Sequence, residues 1–332
     1  MSNDALDSNP PNADYHLSNH GSDWLWAVFA LFGLSLLAVI GWTFATRRGT
    51  RLFHQIAIVV LLTGAISYFS MASDLGATPV PVEFRGNGTR QIWFVRYIQW
   101  FITLPLLLLG LLLAIGLPLS DILTTLFMAI VLVVTGLVGA LVPSTYKWGY
   151  YVFGLVALFY IWYVLLWHGH RTTFAAGDRT TFAAGDRTTF APGDRARSGH
   201  RLSAYYLSFL LMLYPIAWAC SEGGNVISVT SEMIWYGILD LLAGPVFLFW
   251  FLFKLRGVDH STFGSQSGKY TDSNMAPGAT TTAQRAGAGP ASTANGVGAG
   301  PANGATTSPV MGAGSGTYPP SAAHGAQDAL AV

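Results

Sequence analysis

The sequence predicts an all-α membrane protein, a bundle of seven transmembrane helices. Three observations point there. Hydrophobic residues make up 52% of the 332-residue chain and charged residues only 10%, with a mean hydropathy of +0.45, whereas soluble domains carry about 25% charged residues. Seven apolar stretches approach the ~20 residues that a spanning helix needs. Basic residues gather in alternate connections between those stretches, as they do in polytopic proteins.

The spans are placed at about 23–46, 52–75, 94–115, 119–141, 146–169, 202–222 and 232–255. They must be helices, because a backbone in lipid has to satisfy its own hydrogen bonds. Residues 1–22 are polar, with Asp4, Asp7 and Asp14 and no Lys or Arg. A cleavable leader would open with a basic region, so the first span is expected to do the targeting and stay in place. Arg47, Arg48 and Arg51 follow span one, six arginines from Arg171 to Arg201 separate spans five and six, and Lys254 and Arg256 close span seven. Together they put the N-terminus outside and the C-terminus in the cytoplasm. Trp24, Trp26, Trp148 and Trp167 sit at span ends and read as an aromatic belt.

The connection after span two has two short apolar runs around Asn87-Gly88, which predicts a small external hairpin. Asn87-Gly88-Thr89 is also an N-glycosylation sequon, with Asn87 as acceptor. Between spans five and six, residues 171–194 repeat Arg-Thr-Thr-Phe-Ala-(Ala/Pro)-Gly-Asp three times. An octamer is too short for a solenoid unit, so residues 170–200 are expected to form a flexible cytoplasmic loop. Residues 257–332 are rich in Gly, Ala, Ser, Thr and Pro without apolar periodicity and are expected to be a disordered cytoplasmic tail. The domain reading is therefore an external segment at 1–22, a membrane domain at 23–256 and that tail.

Several function classes drop out. A net charge of +1 gives no electrostatic footprint for nucleic acid. The single cysteine, Cys220, cannot form an intrachain disulfide and reads as a small buried hydrophobe. His168 and His170 end span five and read as polar anchors, so no metal site is expected. No catalytic constellation is visible, so the chain is not expected to be an enzyme.

Four stretches carry a resemblance. Span three reads Arg96-Tyr97-Ile98-Gln99-Trp100, then Thr103 and Pro105. Span four ends Thr135-Gly136 through Leu141. Span six reads Tyr214-Pro215-Ile216-Ala217-Trp218, followed by Ser221-Glu222-Gly223. Span seven carries Asp240. The chain resembles the microbial and fungal rhodopsins across nearly the whole membrane domain. It is most similar to the opsin-related branch of fungi that includes the yeast thirty-kilodalton plasma-membrane heat-shock protein. The resemblance implies a stress-induced multi-pass protein of the fungal plasma membrane and a link to the plasma-membrane proton ATPase.

It also implies what is missing. The family's retinal lysine lies one turn after the aspartate of span seven, and here that position is Gly244. The acceptor aspartate of proton pumps is Gln99, and their donor carboxylate, 11 residues on, is Gly110. No covalent retinal cofactor is therefore expected, and a light-driven pump or photosensor is disfavoured. Trp100, Tyr151, Tyr214 and Trp218 match retinal-pocket positions, beside Pro215. Loss of the lysine side chain is expected to leave room for a non-covalent apolar ligand. Glu222 and Glu232 match an exit group, to be read as vestigial or as a solvated rim.

Read by themselves, Arg96, Gln99, Thr103 and Gly110 share one helix face. Asp240 is the one acid well inside a span. A carboxylate there is costly and faces the bundle interior with a partner; Arg96 is the expected partner, with Tyr68 and Tyr214 as hydroxyl donors. Two readings stand for this group, a structural clamp or a proton-handling site. At the level of function, partner binding in the bilayer stands against binding of a small apolar ligand.

Overall fold

The computed structural model describes residues 4–46, 51–115, 117–168 and 194–255. All of them fall within one unit, 1–276. Most of the repeat and the whole 257–332 tail lie outside the described residues, as do Arg47 and Arg48.

A short helix α1, Asp4–Ser8, precedes the spans. The seven spans are α2 (Asn19–Ala45), α3 (Leu52–Ala72), α4 (Phe94–Ile115), α5 (Leu119–Leu141), α6 (Lys147–His168), α7 (Asp194–Trp218, prolonged by Ala219–Gly223) and α8 (Val229–Lys254). All seven are long and apolar enough to cross a bilayer. Serines set two of the starts. Ser18 accepts from the Gly21 amide at 3.2 Å and Ser228 from the Ser231 amide at 3.1 Å, each satisfying an amide that helix geometry leaves open. Ser18 also explains why the first span begins four residues before the place the apolar run suggests.

Consecutive helices pack against one another from α2 to α6, and α2 closes the ring against α8. Lipid gives no hydrophobic drive between helices, so close packing and polar contacts must hold them together. Within α8 the backbone loosens into a π turn at Leu242–Val246, around Gly244-Pro245. Proline cannot donate to the helical ladder, and a π turn is one of the ways a helix absorbs it.

One end of the bundle is capped. Strands β1 (Thr78–Pro81) and β2 (Thr89–Ile92) pair antiparallel, with Thr78 opposite Ile92. The turn between them needs positive φ at Gly86 and Gly88, which glycine tolerates. The predicted hairpin is thus present. Residues 14–17 of the N-terminal segment dock on this hairpin. Tyr15 donates to the Thr89 carbonyl and accepts from the Gln91 amide, both at 2.9 Å, making a parallel bridge to β2. Leu17 is fully buried, and its amide donates to the Gln91 side chain at 2.9 Å.

Candidate functional site: a buried aspartate, a four-charge cluster and an aromatic cavity

Asp240 lies on α8 with 2% of its surface exposed. Four neutral groups donate to it. Tyr68 on α3 and Gln99 on α4 reach Oδ2 at 2.7 and 3.2 Å; Tyr214 on α7 and Trp100 on α4 reach Oδ1 at 2.6 and 3.1 Å. An ionised carboxylate has about four acceptor sites, so this shell matches the anion. It ties four helices to one atom group.

The expected Arg96–Asp240 pair is not formed. Arg96 turns toward the capped end, where its Nη2 donates to Glu222 Oε1 at 2.9 Å and lies 3.9 Å from Glu232 Oε1. Its guanidinium stacks over the Tyr236 ring, 3.6 Å from the centroid, and Tyr97 also donates to Glu222. The physical reason is competition. Two buried glutamates have few neutral donors and need cations, whereas Asp240 already has its full set of hydrogen bonds.

The reading of Glu222 and Glu232 as a solvated rim is corrected as well, since they are only 5% and 1% exposed. Arg90 closes the set from β2. It donates to Glu232 Oε2 at 2.6 Å, to Asn225 Oδ1 at 2.6 Å and to the Ile227 carbonyl at 2.9 Å. Two arginines and two glutamates thus balance in charge beneath the cap. Tyr236, one turn before Asp240, stacks on Tyr214 at 6.0 Å and joins this cluster to the aspartate shell.

A cavity of about 90 Å³ lies between α4, α5, α6 and α7. Trp100, Tyr151, Tyr214, Pro215 and Trp218 all line it, together with Leu211, Val133 and Tyr236. The polar tips point away from it. Tyr151 donates to the Pro215 carbonyl at 3.3 Å, Trp218 to the Gly136 carbonyl at 3.2 Å, and Tyr214 to Asp240. The Tyr151 and Trp218 rings stack at 5.2 Å. What faces the cavity is mostly aromatic and aliphatic carbon, with Arg96 and Tyr97 at its charged end.

Room at Gly244 was expected, and it is filled. A β-carbon there would sit 3.0 and 3.1 Å from the ring of Phe32 on α2. The same ring presses on Gly64 of α3 and stacks on Tyr68 at 5.3 Å. Two glycines form the slot and Phe32 occupies it. Gly110 has open apolar surroundings, with the Phe251 ring and Ile56 nearest at 3.8 and 3.9 Å. Thr103 is buried one turn after Gln99. Asn87 is exposed at the hairpin turn, while Thr89 of its sequon bonds Asp14 at 3.0 Å. His168 pairs with Asp121 at 2.8 Å.

Phe32, Arg90 and Tyr236 escape sequence reasoning, and Tyr97 enters it only as part of the span-three motif, without its bond to Glu222. A charge count over the buried glutamates points to a second arginine, but nothing in the sequence selects Arg90. Nothing in the α2 pattern singles out Phe32.

The comparisons agree with this architecture. The bacteriorhodopsin-like protein family model matches residues 19–255. The chain is 72% identical over 290 residues to Protein FDD123 of Trametes versicolor, covering 87% of this chain and 96% of that one. It is 35% identical over 272 residues to the 30 kDa heat shock protein of Saccharomyces cerevisiae, covering 74% and 76%. The light-driven proton pump of Coccomyxa subellipsoidea superposes with a TM-score of 0.63 at 31% identity, over 72% of this chain and 98% of the pump. The chain is a fungal opsin-related, seven-helix membrane protein and belongs to the bacteriorhodopsin-like family.

Proposed function

We propose that this chain is a light-insensitive, non-enzymatic member of the family that acts by binding partner proteins in the plasma membrane under stress. The observation that carries the reading is Phe32 packed into Gly244. On the family pattern that position holds the retinal amine, and here it has neither an amine nor space for one. The neutral donor shell of Asp240 supports it, because such a shell holds the anion without a Schiff-base cation. The likeness to the yeast 30 kDa heat shock protein favours a stress setting. It makes the plasma-membrane proton ATPase the first partner to test. The basic residues of alternate connections support an external N-terminus and a cytoplasmic tail.

Mass spectrometry of proteins co-purifying from native membranes tests the partner: the ATPase should be enriched over an unrelated seven-helix control, and equal recovery removes it. A tag at the N-terminus should be cleavable on intact spheroplasts and one after Gly257 should not. All-trans-retinal should raise no visible band with the parent, and light should cause no pH change. Gly244→Lys restores the amine but collides with Phe32. A pigment is therefore expected from the double variant Phe32→Ala/Gly244→Lys and not from Gly244→Lys alone.

A second reading has its own observation. The aromatic cavity favours a protein that takes up an apolar ligand without a covalent bond, which a partner-binding role alone does not require.

A further inference from the structure

The cavity stops short of the place where an extended ligand would have to go. Of α8 only Tyr236 lines it, and Gly244 lies two turns further on, about 12 Å along the helix. The space around Gly244 belongs to Phe32, which is 1% exposed and seated against Gly64 and Gly244. Tyr214 and Trp100 line the cavity on the side of Asp240, held by their hydrogen bonds to it and by an edge contact of 4.6 Å between their rings. No residue of α2 or α3 lines the cavity, and on that side Phe32 fills the space beside Gly64 and Gly244.

What remains has a definite chemistry. Its volume of about 90 Å³ exceeds several times the ~10–15 Å³ that one water needs. Water requires two to four polar partners, and here the polar tips of Tyr151, Tyr214 and Trp218 are spent on other groups. Arg96 also lines the cavity, but its charge is already balanced by Glu222, which accepts from its Nη2 at 2.9 Å. Flat aromatic walls favour a flat ring, which stacks or meets them edge-on.

We propose that this cavity is a binding site for a compact, uncharged ring compound, and that Phe32, locked between Gly64 and Gly244, excludes chain-like ligands such as a polyene or an acyl chain. The proposal rests on the ligand-binding reading given above and adds a size limit and a residue that sets it.

The test uses purified full-length protein in lipid nanodiscs, with naphthalene as the compact ring and all-trans-retinol as the chain-like probe. Retinol cannot form a Schiff base, so it reports non-covalent fit alone. Naphthalene should raise the melting temperature with a saturable dependence, and retinol should show no saturable rise in fluorescence polarisation. Filling the cavity with Val133→Phe should weaken naphthalene by at least about tenfold, or 1.4 kcal/mol. Leu155→Phe is the second filler, should the first fail to melt cooperatively. If both fillers bind naphthalene like the parent, the site is elsewhere and the proposal fails. If retinol binds the parent as tightly as naphthalene, the size limit fails while the ligand reading stands. If neither probe binds, both fail and the partner-binding reading is left. Phe32→Ala, or Phe32→Leu if that variant is unstable, should gain retinol binding. No gain in either would remove Phe32 as the residue that sets the limit.

Discussion

The two halves of the bundle solve the same burial problem in opposite ways. Toward the capped end, Arg90, Arg96, Glu222 and Glu232 are nearly inaccessible and pair with one another, and Asp240 sits one turn below in its neutral shell. Toward the other end, around Gly110, the interior is Leu107, Leu108, Leu111, Ile56 and Phe251, with Phe53 meeting Phe251 edge-on at 5.9 Å. No buried carboxylate among the described residues lies there. A path for protons needs exchangeable groups through both halves. Among the described residues no buried carboxylate continues through the leucines to His54, the buried imidazole at that end, and this favours reading the charged half as a fastening over half of a conduit.

Breaking that fastening should have the largest effect. Arg96→Ala leaves Glu222 without its guanidinium and removes the ring contact to Tyr236. Removing one member of a buried pair costs about 3–5 kcal/mol, to be read as a large fall in the melting temperature of detergent-solubilised protein. Arg96→Lys should recover part of the loss, since it keeps the charge but not the planar fork. A parent-like melt for Arg96→Ala would mean that the cluster holds nothing. Asp240→Asn should cost less, about 1–3 kcal/mol. Its amide nitrogen would face a donor, and although the tyrosine hydroxyls can turn to accept, the Trp100 N–H cannot.

The contrast between the halves was half legible in the sequence. Seven apolar runs fix the spans, and the hairpin follows from Asn87-Gly88 between short apolar stretches. Gly110 in a leucine-rich run already marks the apolar half. Tyr68 and Tyr214 could be matched to Asp240 because an intramembrane acid must find donors. The choice of partner for Arg96 could not, because it depends on which carboxylates lack neutral donors once seven helices and a hairpin have met. Arg90 shows the same limit, since a polar residue in a short loop reads as solvated until Tyr15 is seen bridged to it and Glu232 paired with it. Phe32 was illegible for a different reason. The resemblance puts the family's retinal lysine at Gly244, but which neighbour packs against a glycine there is decided across α2, α3 and α8.

Two glycines sharpen the comparison at smaller scale. Glycine within a helix is destabilising by roughly 0.5–1 kcal/mol relative to alanine. At Gly110 a β-carbon meets its nearest neighbours at ordinary contact distance, so Gly110→Ala should raise stability by about that amount. At Gly244 the same methyl meets the Phe32 ring at 3.0 Å, and the ring is already wedged against Gly64. Gly244→Ala should gain nothing or lose. Parallel melting curves decide it, and an equal gain at both positions would show that Phe32 has room to move.

The smallest effect concerns the cap that covers the charged half, and it depends on pH. The Thr89 amide, at 2.7 Å, and then its hydroxyl hold the carboxyl of Asp14 below its ordinary value. Its contribution is therefore present at neutral pH and lost as pH falls through that lowered value, beneath the ~3.9 of an unfolded aspartate. Asp74 works in the other direction. Burial raises its carboxyl, against the opposing hydrogen bond from Gln91, so its native form takes up a proton first and acid relieves it. On acidification the cap should first tighten slightly and then loosen as Asp14 protonates. Hydrogen exchange at the backbone amides of Tyr15 and Gln91, compared between the parent and Asp14→Ala at each pH, isolates the second step. The variant should exchange faster near pH 6, and the gap should narrow as the pH falls below the ordinary aspartate value. A gap that does not narrow at all on acidification would mean that shape, not the Asp14 charge, keeps residues 14–17 on β2. In that case Gly88, at a φ of 112° and crowded by Asp14, becomes the residue that seats them.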